Sequence, residues 1–113
     1  MLLLAACLAE RAPEPDPDSN LNIDSSRATY NLRIAQIVQN NCATGSSCHG
    51  SGAGSLEMTN FAQTRAKAQS PAAQFYCRIN HNAGCPPMPQ GAPKLADSLL
   101  TYLDVWKLKN YPQ

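Results

Sequence analysis

Between Cys42 and Leu56 the chain reads Cys-Ala-Thr-Gly-Ser-Ser-Cys-His-Gly-Ser-Gly-Ala-Gly-Ser-Leu, and His49 is its single bulky side chain before Leu56. A stretch this poor in apolar volume cannot build a core of its own. Its glycines let the backbone lie close against something large and flat. The constraint matters because the whole chain has 113 residues, which makes it one domain with a marginal core. Aromatic residues are only 6% of the sequence, so the interior must come from a few Leu, Ile and aromatic side chains or from a bound apolar group.

Hydrophobic periodicity places helices around this stretch. Tyr30, Ile34, Ile37 and Val38 fall at helical spacing from Arg27 to Asn41, with Ser25 or Ser26 available as N-cap. Residues 59–69 predict a short helix, and Pro71 suits the first turn of another over residues 71–80. The segment His81–Lys94 is rich in turn residues. From Lys94 to Asn110, Leu95, Leu99, Tyr102, Leu103 and Trp106 share a face, which predicts the strongest helix of the chain. No segment alternates over strand length. The fold class expected is all-α, with three to four short helices and long loops.

Charge divides the chain at about residue 24. Residues 1–24 carry Glu10, Glu14, Asp16, Asp18 and Asp24 against Arg11, whereas residues 25–113 carry eight Lys/Arg against Glu57, Asp97 and Asp104, a net of +5. The basic residues are scattered, without the stripe and interleaved aromatics of a nucleic-acid footprint, so no nucleic-acid partner is expected. Residues 4–7, Leu-Ala-Ala-Cys, resemble a bacterial lipobox, which makes Cys7 the expected lipidation site. The positive region and most of the apolar region of such a signal are missing. The two readings are a signal cut short, with the true start upstream, and an ordinary cysteine on a tail. Residues 8–24 then form a Pro- and acid-rich tether, residues 25–113 the folded domain, and the location is periplasmic or cell-envelope. No other segment is long enough to span a bilayer.

The other four cysteines fall in two pairs. Cys42 and Cys48 share the small-residue loop with His49, and Cys77 and Cys85 bracket His81. In an exported protein, cysteines become disulfides, covalent cofactor links or metal ligands. In c-type haem attachment two cysteines add to the haem vinyl groups and the histidine after the second reaches the iron, usually as Cys-x-x-Cys-His. Cys48-His49 has the required adjacency. Five residues intervene before it where two are usual, but Ala-Thr-Gly-Ser-Ser has no bulky side chain and contains a glycine, so it can bulge aside. Pro86, Pro87 and Pro89 stiffen the loop around Met88, which fits a thioether held against iron. His81 is the alternative distal ligand, while Met58 fits gap-filling packing.

The elements "IVQNNC…CHG", the Gly/Ser-rich run into "LEMTNFAQTRAKA", then "PPMPQG" and "KLADSLLTYLDVWK" follow one another in an order that resembles the small single-haem cytochrome c domains of bacterial envelope lipoproteins, over residues 30–109. The resemblance implies a cytochrome c-like fold around one covalently bound haem c. It also implies thioethers at Cys42 and Cys48, His49 as proximal and Met88 as distal ligand, and first and last helices crossing beside the haem. The function implied is electron transfer between redox protein partners, or within a larger membrane complex, by a protein held through a lipid anchor. A six-coordinate iron has no place for a small-molecule substrate, so an electron carrier is expected and not an enzyme.

Cys77 and Cys85 most simply pair with each other, closing a loop worth about 2.5 kcal/mol on the chain-entropy relation. Two rivals to the haem reading remain. Cys42, Cys48, His49, Cys77, His81 and Cys85 offer ligands for a structural zinc, although both cysteine spacings are wider than zinc pairs commonly use. An exported binding module stapled by disulfides alone leaves the Cys-His adjacency and the Met88 loop without a role. A Cys-His pair adjacent in sequence is not a nucleophile and base, and no acidic pair or phosphate loop is present.

Overall fold

The computed structural model describes residues 23–113. Four α-helices, α1 (Ala35–Asn41), α2 (Phe61–Gln69), α3 (Phe75–Ile79) and α4 (Asp97–Leu108), are linked by loops and single 3-10 turns. No strand occurs among the described residues, so the domain is all-α. None of its helices is long and apolar enough to cross a membrane. The tether, the lipobox sequence and Cys7 lie outside the described residues.

The first helix starts later than the Ser25 and Ser26 signals suggest. Those serines sit in a separate 3-10 turn whose cap is Asp24, which accepts from the Ser26 N–H at 3.0 Å. The cap of the main helix is Thr29, whose hydroxyl accepts from the Leu32 N–H at 3.3 Å. Its first turns, Tyr30–Ile34, are wide and of π type before the chain tightens into α1. The N–H groups of Tyr30 and Asn31, which a helix start leaves without internal partners, donate to the carbonyls of Pro112 and Gln113 at 3.0 and 2.8 Å. The C-terminal tail thereby fastens the start of the first helix.

The core forms where α4 packs against Tyr30–Ile34. Tyr30, Ile34, Ile37 and Val38 bury from one side, and Leu95, Leu100, Tyr102, Leu103 and Trp106 from the other. Leu100 takes the buried place expected of Leu99, which is half-buried at the margin. Trp106 is fully buried, its Nε1–H donates to the Pro112 carbonyl at 2.8 Å, and Tyr111 meets its ring edge-on at 4.8 Å. Met58 is buried in the same cluster, the packing role expected of it.

Pro71 starts only a 3-10 turn, Pro71–Ala73. Gln74 then adopts left-handed backbone at φ 53°, which ends that turn and sends the chain off again as α3, so the single helix expected over residues 71–80 is two pieces. Asn60 caps α2 by accepting from the Gln63 N–H at 2.9 Å. Helices α2 and α3 pack on each other, and Tyr76 ties α3 to α4 by donating its hydroxyl to the Leu103 carbonyl at 3.1 Å. Burial pushes the Tyr76 phenol well above its ordinary range.

Candidate functional site

Cys42 stands at the C-terminal end of α1, where its N–H still donates to the Val38 carbonyl at 2.7 Å. The next five residues fold back on themselves. The Gly45 carbonyl accepts from the N–H groups of Cys48 and Gly50, at 3.0 and 2.9 Å, and the His49 N–H donates to the Cys42 carbonyl at 3.0 Å. The bulge therefore returns the Cys48-His49 pair to the end of α1, beside Cys42. Gly50 is required for this fold, because a Cβ there would lie 2.8 Å from the Gly45 oxygen.

His49 is half-buried, and its Nδ1 lies 2.7 Å from the Leu56 carbonyl oxygen. A carbonyl only accepts, so Nδ1 carries the proton and the lone pair stays on Nε2. The backbone repeats the contact, since the Met58 N–H donates to the His49 carbonyl at 2.7 Å. The small-residue run thus holds the imidazole in one tautomer.

Met88 is held from both sides. Its N–H donates to the Arg78 carbonyl at 3.0 Å, and its own carbonyl accepts from His81 Nε2 at 3.0 Å. The Arg78 carbonyl also accepts from the His81 N–H at 3.1 Å. Cys77 and Cys85 are joined in a disulfide that closes the loop between α3 and the proline segment. His81 occupies left-handed backbone, φ 52°, which turns its ring back toward the Met88 carbonyl.

The Cys42–Leu56 loop and the Met88 segment border a half-open cavity of about 490 Å³, within the range of cofactor and small-molecule sites. Cys42, Cys48, His49 and Met88 all line it, together with apolar Leu56, Met58, Phe75, Ile79 and Pro89. His81 does not line it, and neither does any residue of α4, so the cavity lies at the end of α1 away from the crossing with the last helix. Sequence reasoning did not place Lys67 or Arg78 in the lining, where both occur without an accompanying carboxylate. The signal available for Arg78 was its position inside the Cys77–Cys85 segment, one residue from the disulfide.

The cysteines differ in state. Cys42 is a free thiol whose sulfur is desolvated, and burial pushes it up from 9.0 to about 12, so it is neutral at physiological pH and a poor nucleophile. Cys48 is buried in the same loop. With Cys77 and Cys85 joined, those two sulfurs are not thiolate donors for zinc. No group of three or more His, Cys, Asp or Glu side chains among the described residues is placed to hold a metal ion on its own. Comparison of the chain with models of protein families, with curated proteins and with solved structures gave no match.

Proposed function

We propose that the chain is a monohaem c-type cytochrome, a single-electron carrier of the cell envelope. The observation that carries the reading is the meeting of Cys42, Cys48, His49 and Met88 around one mostly apolar cavity, with the His49 proton committed to Leu56 and Nε2 left with its lone pair. The fixed tautomer is what an axial imidazole needs from its surroundings. Cys42 and Cys48 would hold the haem as thioethers, His49 and Met88 would be its axial ligands, and the fold would be cytochrome c-like.

When bound, the haem iron supplies the one-electron couple. The protein's part is to set its potential and protect it. Met88 as a thioether ligand favours the reduced state relative to a second imidazole, and the apolar lining strengthens that bias by desolvating the ferric charge. The Arg78 and His81 contacts fix the Met88 backbone before ligation, so little entropy is lost on binding. If His49 and Met88 both held the iron, no coordination position would be left open, which favours a carrier over an enzyme and redox proteins or a membrane complex over a small-molecule substrate. The Cys77–Cys85 disulfide fits an oxidising compartment, in keeping with export and a lipid anchor at Cys7.

The Cys77–Cys85 disulfide beside a free, desolvated Cys42 thiol favours a second reading, an exported disulfide-stapled module that binds an apolar small molecule in the same cavity without haem. The visible spectrum of protein made in a haem-maturing host separates them. The carrier has the absorption of a c-type haem, with a long-wavelength sulfur-to-iron band that Met88→Ala removes. Colourless protein of native fold supports the haem-free module.

A further inference from the structure

We propose that Glu57, clasped to Gly52 and Gln63, is the positioning residue for the His49 imidazole, an assignment whose bearing on iron rests on the haem reading above. His49 Nδ1 is held by the Leu56 carbonyl at 2.7 Å, and that carbonyl shares a peptide plane with the Glu57 N–H, which donates to the Gly54 carbonyl at 3.2 Å. The side chain of Glu57 then fixes the residue that carries this plane. Its Oε1 accepts from the Gly52 N–H at 2.8 Å and its Oε2 from Gln63 Nε2 at 3.3 Å, so one carboxylate joins the loop after His49 to helix α2. Glu57 is half-buried and does not line the cavity. It acts on the ring through the backbone and not on a bound group.

The clasp needs an acceptor at both oxygens. A backbone N–H only donates, and the Gln63 amide is oriented by Thr59, whose N–H and hydroxyl both donate to Gln63 Oε1, at 2.9 and 3.0 Å. Nε2 is therefore the end of that amide which meets Glu57. Glu57→Gln would set an NH2 group against Gln63 Nε2, donor against donor, or turn its own amide and leave the Gly52 N–H without an acceptor. Turning the Gln63 amide instead would strand the Thr59 N–H. A carboxylate satisfies every donor at once, and hydrogen bonds to an ionised acceptor are the stronger kind, which suits a loop made almost entirely of small residues. The network has one other solution. Exchanging the pair, Glu57→Gln with Gln63→Glu, lets residue 57 accept from Gly52 and donate to residue 63, whose second oxygen still accepts from Thr59.

The test reads the His49 tautomer in the haem-free chain, from the ring nitrogen chemical shifts of the neutral imidazole. Wild type should show Nδ1–H alone. Glu57→Gln should lose that single pattern and add the Nε2–H form, and the exchanged pair should restore it. Gln63→Ala, which keeps the carboxylate and removes its anchor on α2, should move the pattern the same way by less. In the holoprotein Glu57→Gln should also shift the reduction potential upward, because an imidazole that no longer gives its Nδ1 proton to a carbonyl is a less basic ligand, and the exchanged pair should bring the potential back. If Glu57→Gln does not fold, Gln63→Ala and the exchanged pair decide the matter. A single Nδ1–H tautomer in every variant, or no recovery in the exchanged pair, overturns the assignment whatever the haem content. The expected tautomer pattern in a chain that a haem-maturing host returns without covalent haem upholds the assignment for the ring and overturns the haem reading.

Discussion

His49 gives its Nδ1 proton to the Leu56 carbonyl, and that single contact decides which ring nitrogen could serve a metal. The contact needs the loop between them to close, which in turn needs Gly50 to pass 2.8 Å from the Gly45 oxygen at the Cβ position. Gly50→Ala should cost about 1–3 kcal/mol, as forced overpacking does, and urea unfolding of the haem-free chain measures it. A stability equal to wild type would show that the loop relaxes freely and that His49 is not held as described. Cys42 offers a second check at this scale. Its desolvated thiol is neutral up to about pH 12, whereas an exposed thiol ionises from about 9, so the raised value favours the fold fully below pH 9 and progressively less from there to pH 12. Haem-free protein should therefore resist alkylation at Cys42 at pH 8 and react once unfolded; rapid labelling of the folded chain contradicts the burial.

At the scale of elements, α4 and Tyr30–Ile34 hold each other, and Trp106 is their centre. Trp106→Ala should lose about 3–5 kcal/mol, read by denaturant unfolding, because it opens a cavity and removes one of the two donors to the Pro112 carbonyl, the Tyr30 N–H being the other. The two apolar faces were legible in the sequence, since both repeat at helical spacing; their crossing was implied by the cytochrome c resemblance, which set it beside the haem, whereas no α4 residue lines the cavity. The break at Gln74 was not: Pro71 is compatible with a helix start, and only the left-handed backbone three residues later divides the segment. The exchange of Leu99 for Leu100 reflects adjacent leucines, between which periodicity alone cannot choose. At the site, residue types and spacing pointed to Cys42, Cys48, His49 and Met88. The clamp on Met88 was hidden, because it is made by the Arg78 carbonyl and by a turn of His81 that no periodicity encodes. His81 lies outside the cavity lining and reaches the Met88 carbonyl through Nε2. His81→Ala should lower the pH or temperature at which the sulfur-to-iron band of the holoprotein is lost, while leaving the covalent haem content unchanged.

For the molecule as a whole, the core beside α4 and the cavity at the end of α1 share Met58, Phe75 and Ile79, which belong to the buried cluster and line the cavity. Of the Cys42–Leu56 stretch, Cys42, Ser47, Cys48, His49 and Leu56 line the cavity and none of its glycines does, so the stretch contributes a few side chains to the lining and no flat backbone wall. The Cys77–Cys85 disulfide closes the loop between α3 and the proline segment, and its reduction should cost about 2.5 kcal/mol, with two new thiols counted after unfolding. The intact mass of protein produced in a haem-maturing host, recorded after denaturation, tests the central claim most directly. The account predicts the chain plus one haem, retained because it is covalent; a mass equal to the chain alone, with Cys42 still titrating as a thiol, would contradict it.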